Sequence, residues 1–155
     1  MRSVDVCLTH QDFDNYDHKG KIVVVIDVLR ATSTINTLLF LGADHVRPIG
    51  SLEECKSLKD HDYIIMAERL GKKVEGFDYG NSPTKLTEKD IKGKKAAIAT
   101  SNGSKAIIKS EGSEMTILCS FLNIESVINR IKKSESDVIL LCSVGHMPMK
   151  FIHLV

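Results

Sequence analysis

The chain has 155 residues, 21 basic and 20 acidic side chains, a formal net charge of +1 and 43% hydrophobic residues. That length can bury a sizeable core without disulfides, and the near-neutral balance excludes a protein that works through a basic face on nucleic acid. Tryptophan is absent and aromatics make up 5%, which argues against base-stacking platforms; no uncharged run approaches the roughly 18 residues of a membrane span.

The opening segment, Met1 to Val6, lacks the apolar core of a secretory signal. Hydrophobic patterning then predicts strands near 2–8, 21–28, 44–49, 62–67, 95–100, 115–119 and 137–142. Helices are predicted near 31–42, 51–59, 102–110 and 122–133. In the first helix Ile35, Leu38 and Leu39 recur at helical spacing and Gly42 suits the C-terminal turn. In the last, Ile124, Val127, Ile128 and Ile131 share a face, and Lys132 and Lys133 complement the dipole. Such alternation predicts a mainly parallel sheet covered on both faces, in one domain over 1–155.

Residues 69–94 break the rhythm, with four glycines and Pro83. The stretch is too long for an ordinary βα connection and predicts a lid or substrate loop. The strand at 138–142 should be central, yet only thirteen residues follow it. This points to a chain truncated or divergent after about 142, whose incomplete sheet favours self-association.

Several apolar runs end in polar clusters. Ligands of parallel α/β sheets bind outside the carboxyl ends of the strands, so these clusters point to one composite site. Asp27 closes a β-branched run and could ligate Mg²⁺ or attack phosphorus. Arg30 offers a planar fork to phosphate oxygens, and Thr32, Ser33 and Thr34 bring hydroxyls to a helix start. The plainer alternative pairs Asp27 with Arg30 and uses Thr32 as a cap. Glu68 and Arg69 repeat the acid–arginine pattern, either as a second metal ligand and anion clamp or as a surface ion pair of little energetic weight.

Asp78 lies in a dense turn sequence and could ligate a metal. Asn81 and Ser82 could donate to substrate; turn chemistry and a helix start explain the same residues. Thr100, Ser101, Asn102, Gly103 and Ser104 form either an anion cradle or a cap, and Ser120 and Asn123 either a site rim or a helix start. No Walker or GxGxxG pattern is present. The histidines do not form an HExxH pair, and His146 is a poor candidate for a general acid. Cys7, Cys55, Cys119 and Cys142 lack CxxC spacing and read as buried thiols of a cytoplasmic protein.

Together these clusters resemble the 2-phosphosulfolactate phosphatase (ComB-like) family of coenzyme M biosynthesis. The similarity is carried by Val25-Ile26-Asp27-Val28-Leu29-Arg30-Ala31-Thr32-Ser33-Thr34, Gly42-Ala43, Glu68-Arg69, Gly76-Phe77-Asp78 with Asn81-Ser82-Pro83, Thr100 with Asn102-Gly103-Ser104, and Ser120-Phe121-Leu122-Asn123. It runs over roughly residues 1–142. It implies a three-layer α/β/α fold and a Mg²⁺-dependent phosphatase. The partner it implies is a small anionic phosphorylated sulfonate or hydroxy acid, not nucleic acid or membrane. Asp27, Arg30, Glu68, Arg69, Asp78 and Asn81 carry over as site positions. From the chemistry of these side chains, Asp27, Glu68 and Asp78 are the expected metal ligands, and Asp27, Arg30 and Arg69 the catalytic groups. Two departures stand out: the family usually continues through a further helical region, and Ala67 stands where glycine is common.

A haloacid-dehalogenase-like alternative requires a second aspartate two residues after Asp27, where this chain has Leu29. The other alternative is a catalytically inactive protein or fragment that binds a phosphorylated metabolite.

Overall fold

The computed structural model describes residues 2–143. The β-branched run Ile22–Ile26 forms β2, buried almost throughout. It lies inside a parallel four-stranded sheet of order β1-β8-β2-β7, with β1 at Val4–Cys7, β7 at Met115–Cys119 and β8 at Val138–Cys142. The second sheet has the order β3-β6-β4-β5, with β3 at His45–Ile49, β4 at Tyr63–Arg69, β5 at Lys72–Lys73 and β6 at Lys95–Ala99. Only β5 is antiparallel to its neighbour.

Two helices carry the chain between the sheets. Helix α1 (Ala31–Phe40) leads from β2 to β3, and α4 (Gly103–Lys109) returns from β6 to β7. Helix α1 ends where Gly42 takes φ +85, and the N–H groups of Gly42 and Ala43 donate back to Leu39 O and Leu38 O. Only glycine adopts that left-handed turn without steric cost.

Strand alternation sorts the core into layers. Val23, Val25, Ile139 and Leu141 face Ala106 of α4, whereas Ile22, Val24 and Val138 face Val127 of α5 (Ile124–Lys132). In the second sheet Met66, Ala96 and Ile98 face Ile35 and Leu38 of α1. On its other side Ile65, Ala97 and Ala99 face Cys55 of α2 (Leu52–Ser57). Each sheet is therefore covered on both faces, as the expected three-layer α/β/α pattern requires, and the expected sheet is divided in two with α1 and α4 as the shared layer.

The 69–94 segment contains β5, a 3-10 turn at Pro83–Lys85 and the short α3 at Glu88–Ile91. Phe77, Leu86 and Ile91 bury side chains from it. Three such anchors fasten it to the second sheet, which a free lid would lack. No helix among the described residues is long and apolar enough to cross a membrane. His146 and the segment Met147 to Val155 lie outside the described residues.

Candidate active site

Asp27 leaves β2 at its carboxyl end and is fastened there by Thr32. The Asp27 N–H donates to Thr32 Oγ1 at 3.1 Å, and the Thr32 N–H donates to Asp27 O at 3.1 Å. The Thr32 hydroxyl lies 2.8 Å from Asp27 O and 2.7 Å from Cys119 O, which ties the turn to β7. Thr32 is fully buried, and Ser33 donates its hydroxyl to Val28 O at 2.7 Å. Both hydroxyls therefore serve the turn rather than a ligand.

The Asp27 carboxyl is pushed above the ordinary carboxylate range, chiefly because burial disfavours its charge. A hydrogen bond from the Ala31 backbone and the nearby Arg30 cation oppose that rise. Gly103 makes room for the carboxylate: a β-carbon there would lie 2.5 Å from Asp27 Oδ2 and 2.3 Å from the Ala31 β-carbon.

Arg30 does not close on Asp27. Its guanidinium forms an ion pair with Glu68 of β4, so the two sheets are joined at their carboxyl ends. Asp27, Arg30, Glu68, Asn81 and the loop Thr100–Asn102 line a cavity of about 220 Å³. A second cavity, of about 360 Å³, shares Arg30, Glu68 and Asn81 with it and is also lined by Lys73, Asp78, Ser82 and Lys85. Asn81 is 4% exposed, and its Oδ1 has no hydrogen-bond partner among the described residues.

No group of three His, Cys, Asp or Glu side chains suited to a metal ion occurs among the described residues. Asp27, Glu68 and Asp78 do not converge as such a set. Asp78 is committed elsewhere: Oδ2 accepts the Ile65 N–H and Oδ1 the Lys59 ammonium, each at 3.0 Å. Magnesium, however, is commonly held by one or two carboxylates together with water and substrate phosphate. Asp27 and Glu68 in one cavity, beside the unpartnered carboxamide oxygen of Asn81, form a hard-oxygen donor set that fits it.

The sequence model of the family described as 2-phosphosulpholactate phosphatase matches residues 7–147. The chain belongs to this family. A protein of Caldanaerobacter subterraneus named "Probable 2-phosphosulfolactate phosphatase" is 41% identical over 139 residues, which are 87% of this chain and 58% of that protein. One of the same name from Clostridium acetobutylicum is 40% identical over 141 residues, 89% of this chain and 60% of the relative. One from Thermotoga petrophila is 42% identical over 123 residues, 79% and 53% respectively. The chain thus spans a little over half the length of the curated relatives it matches.

Not every residue singled out in the sequence reaches the two cavities. Arg69, next to Glu68 on β4, donates to Glu68 O at 3.1 Å and lines neither. Adjacent strand residues point to opposite faces, so that spacing already argued against a joint clamp. Ser120 and Asn123 form the start of α5: the Ser120 N–H donates to Asn123 Oδ1 at 2.9 Å, and Asn123 Nδ2 donates to Leu118 O at 2.8 Å. Of the phosphatase-like loop residues, Asn102 and Ser82 line one cavity each. Ser143, which closes the apolar run of β8, lines the smaller cavity, and Lys73 and Lys85 line the larger one, although nothing in the local sequence marks the two lysines.

Proposed function

We propose that this chain is a Mg²⁺-dependent phosphatase of the cytoplasm, hydrolysing a small phosphorylated sulfonate or hydroxy acid such as 2-phosphosulfolactate. The observation that carries this reading is the meeting of Asp27 with the Arg30–Glu68 pair in one cavity at the strand ends of both sheets. The relatives' names and the buried free thiols of Cys7, Cys55 and Cys119 support it.

Asp27, Glu68 and Asn81 Oδ1 are the groups that would hold Mg²⁺. When bound, the ion supplies Lewis-acid neutralisation of phosphate charge and a more acidic water. Arg30, steadied on one side by Glu68, turns its remaining N–H donors to phosphoryl oxygens, whose charge it stabilises as the ester bond breaks. Ser101 and Asn102 line the same cavity and would orient the phosphoryl group. Asp27, which lines the same cavity, is placed to take a proton from the attacking water through the carboxylate oxygen not turned to the ion.

The test is phosphate release from small phosphate esters with Mg²⁺, set against the Asp27→Asn variant. Release by the parent and its loss in the variant is the expected result; equal release by both would refute the reading. A second reading is favoured by the commitment of Asp78 to Ile65 and Lys59 and of Glu68 to Arg30: binding of the phosphorylated ligand without turnover. Calorimetric binding with no phosphate release would select it.

A further inference from the structure

We infer that Ser143 is a further catalytic residue of the smaller cavity, its hydroxyl donating a hydrogen bond to a phosphoryl oxygen. This rests on the proposed placement of the phosphoryl group beside Asp27.

The pairing of β8 with β2 puts Ser143 there. Val25 is in register with Leu141, and Ile26 with Cys142. The Ser143 N–H donates to Ile26 O at 2.9 Å, so the ladder runs on past the strand ends. Alternate residues along a strand return to the same face. Ser143 therefore stands beside Asp27 on the face of Val25 and Leu141, which is the α4 side. Gly103 of α4 lies against the Asp27 carboxylate on that side.

The other buried hydroxyls at these strand ends are already bonded within the fold. Thr100 Oγ1 accepts the Ser104 N–H at 2.9 Å, and the Ser104 hydroxyl donates to Ile98 O at 2.9 Å. Ser120 Oγ accepts from Asn36 Nδ2 at 3.0 Å and from the Leu122 N–H at 3.2 Å. Thr32 holds the turn after β2. Ser143 differs. It is 8% exposed, it lines the cavity of about 220 Å³, and its Oγ has no hydrogen-bond partner among the described residues. Thr34 is also unpartnered, but it lines neither cavity.

A serine hydroxyl carries one donor. Buried without an acceptor, it costs stability until a ligand supplies one. A phosphoryl oxygen beside Asp27 is such an acceptor, and its negative charge strengthens the bond. The β8–β2 ladder fixes the serine backbone before the ligand arrives, so the donor needs little reorganisation as charge shifts on the phosphoryl group. Arg30 brings the positive charge of the cavity, and Ser143 adds a neutral donor that carries no charge to be desolvated.

The experiment is calorimetric titration with inorganic phosphate in the presence of Mg²⁺, together with thermal melting of the ligand-free chain. It is run on the parent, on Ser143→Ala and on Ser143→Thr. A hydrogen bond to a charged group is worth roughly a ten- to hundredfold change in affinity. Ser143→Ala should weaken phosphate binding by about that factor and melt at or above the parent's midpoint, because an unpaired buried hydroxyl has gone. Ser143→Thr keeps the hydroxyl and should recover most of the affinity. Mg²⁺ titrated alone should bind the parent and Ser143→Ala equally. Unchanged phosphate affinity in Ser143→Ala overturns the inference, as does a lower midpoint, which would show the hydroxyl bonded within the fold. So do a threonine variant that binds no better than alanine, a fall in Mg²⁺ affinity, which would make the serine a metal ligand, and a parent that binds no phosphate. Phosphate release from methyl phosphate is measured separately. Serine-dependent phosphate binding without release sinks the phosphatase reading and leaves this donor standing; release that Ser143→Ala leaves at the parent's rate does the reverse.

Discussion

Gly103 lies so close to Asp27 that an added methyl group would come within 2.5 Å of the carboxylate oxygen. It would also sit 2.3 Å from the Ala31 β-carbon at the start of α1. Both neighbours are fixed by backbone, since Ala31 is in the helix and Asp27 is tied to Thr32. Gly103→Ala should therefore cost roughly 1–3 kcal/mol of stability, the usual range for overpacking, and weaken phosphate binding as Asp27 is displaced. Thermal melting with calorimetry checks this; a variant equal to the parent in both would show that the contact relaxes freely.

Asp27 itself should trade stability for chemistry. Its carboxyl holds its proton above the ordinary value of 3.8 because burial penalises the charge. The folded state thus keeps a proton that the unfolded chain has already released. The stability this confers is present below the unfolded value and is lost as pH rises through the folded one. Asp27→Asn should remove that slope and raise the melting midpoint at neutral pH, by roughly 2–4 °C for each kcal/mol relieved. Phosphate release should fall about 100-fold or more, the scale of a lost acid–base group. A lower midpoint would mean that the charge is stabilising.

Arg30, in the loop after β2, and Glu68, on β4, join the two sheets, so their coupling should appear in stability. A double-mutant cycle of Arg30→Gln and Glu68→Gln should give an interaction of roughly 0.5–3 kcal/mol, as for contacting residues. Simple additivity would indicate that solvent screens the pair. Arg30→Gln should also weaken phosphate binding, since it leaves two carboxylates in the smaller cavity without their cation.

Asp78 is expected to behave as an anchor. Asp78→Ala leaves the Ile65 N–H without its acceptor and Lys59 without its partner. An unsatisfied buried donor costs about 1–3 kcal/mol, which denaturant titration would register. Mg²⁺ affinity measured by calorimetry should stay unchanged. Weakened Mg²⁺ binding would return Asp78 to the metal.

Much of this architecture was legible residue by residue. The run Ile22–Ile26 reads as a buried strand because every residue in it is β-branched, and Gly42 marks a helix end because a left-handed turn needs glycine. The polar clusters after β2 and β6 were legible as site loops for the same local reason: they interrupt apolar runs. Thr32 was ambiguous, since one hydroxyl serves a cap and an anion equally well until its neighbours are known. Lys85 was invisible, because a lysine in a turn resembles any solvated surface lysine.

By itself, then, the order of residues determined which segments become strands and helices and which loops carry charge, since these depend on neighbours within a few positions. Only the tertiary structure decided that the strands divide into two sheets, that Arg30 meets Glu68 instead of Asp27, and that Asp78 turns to Lys59. The meeting of Arg30 and Glu68 depends on the packing of α1 and α4 between the sheets, and that of Asp78 and Lys59 on the packing around β4. Such long-range burial is shared by the whole core, and no local stretch of the chain encodes it.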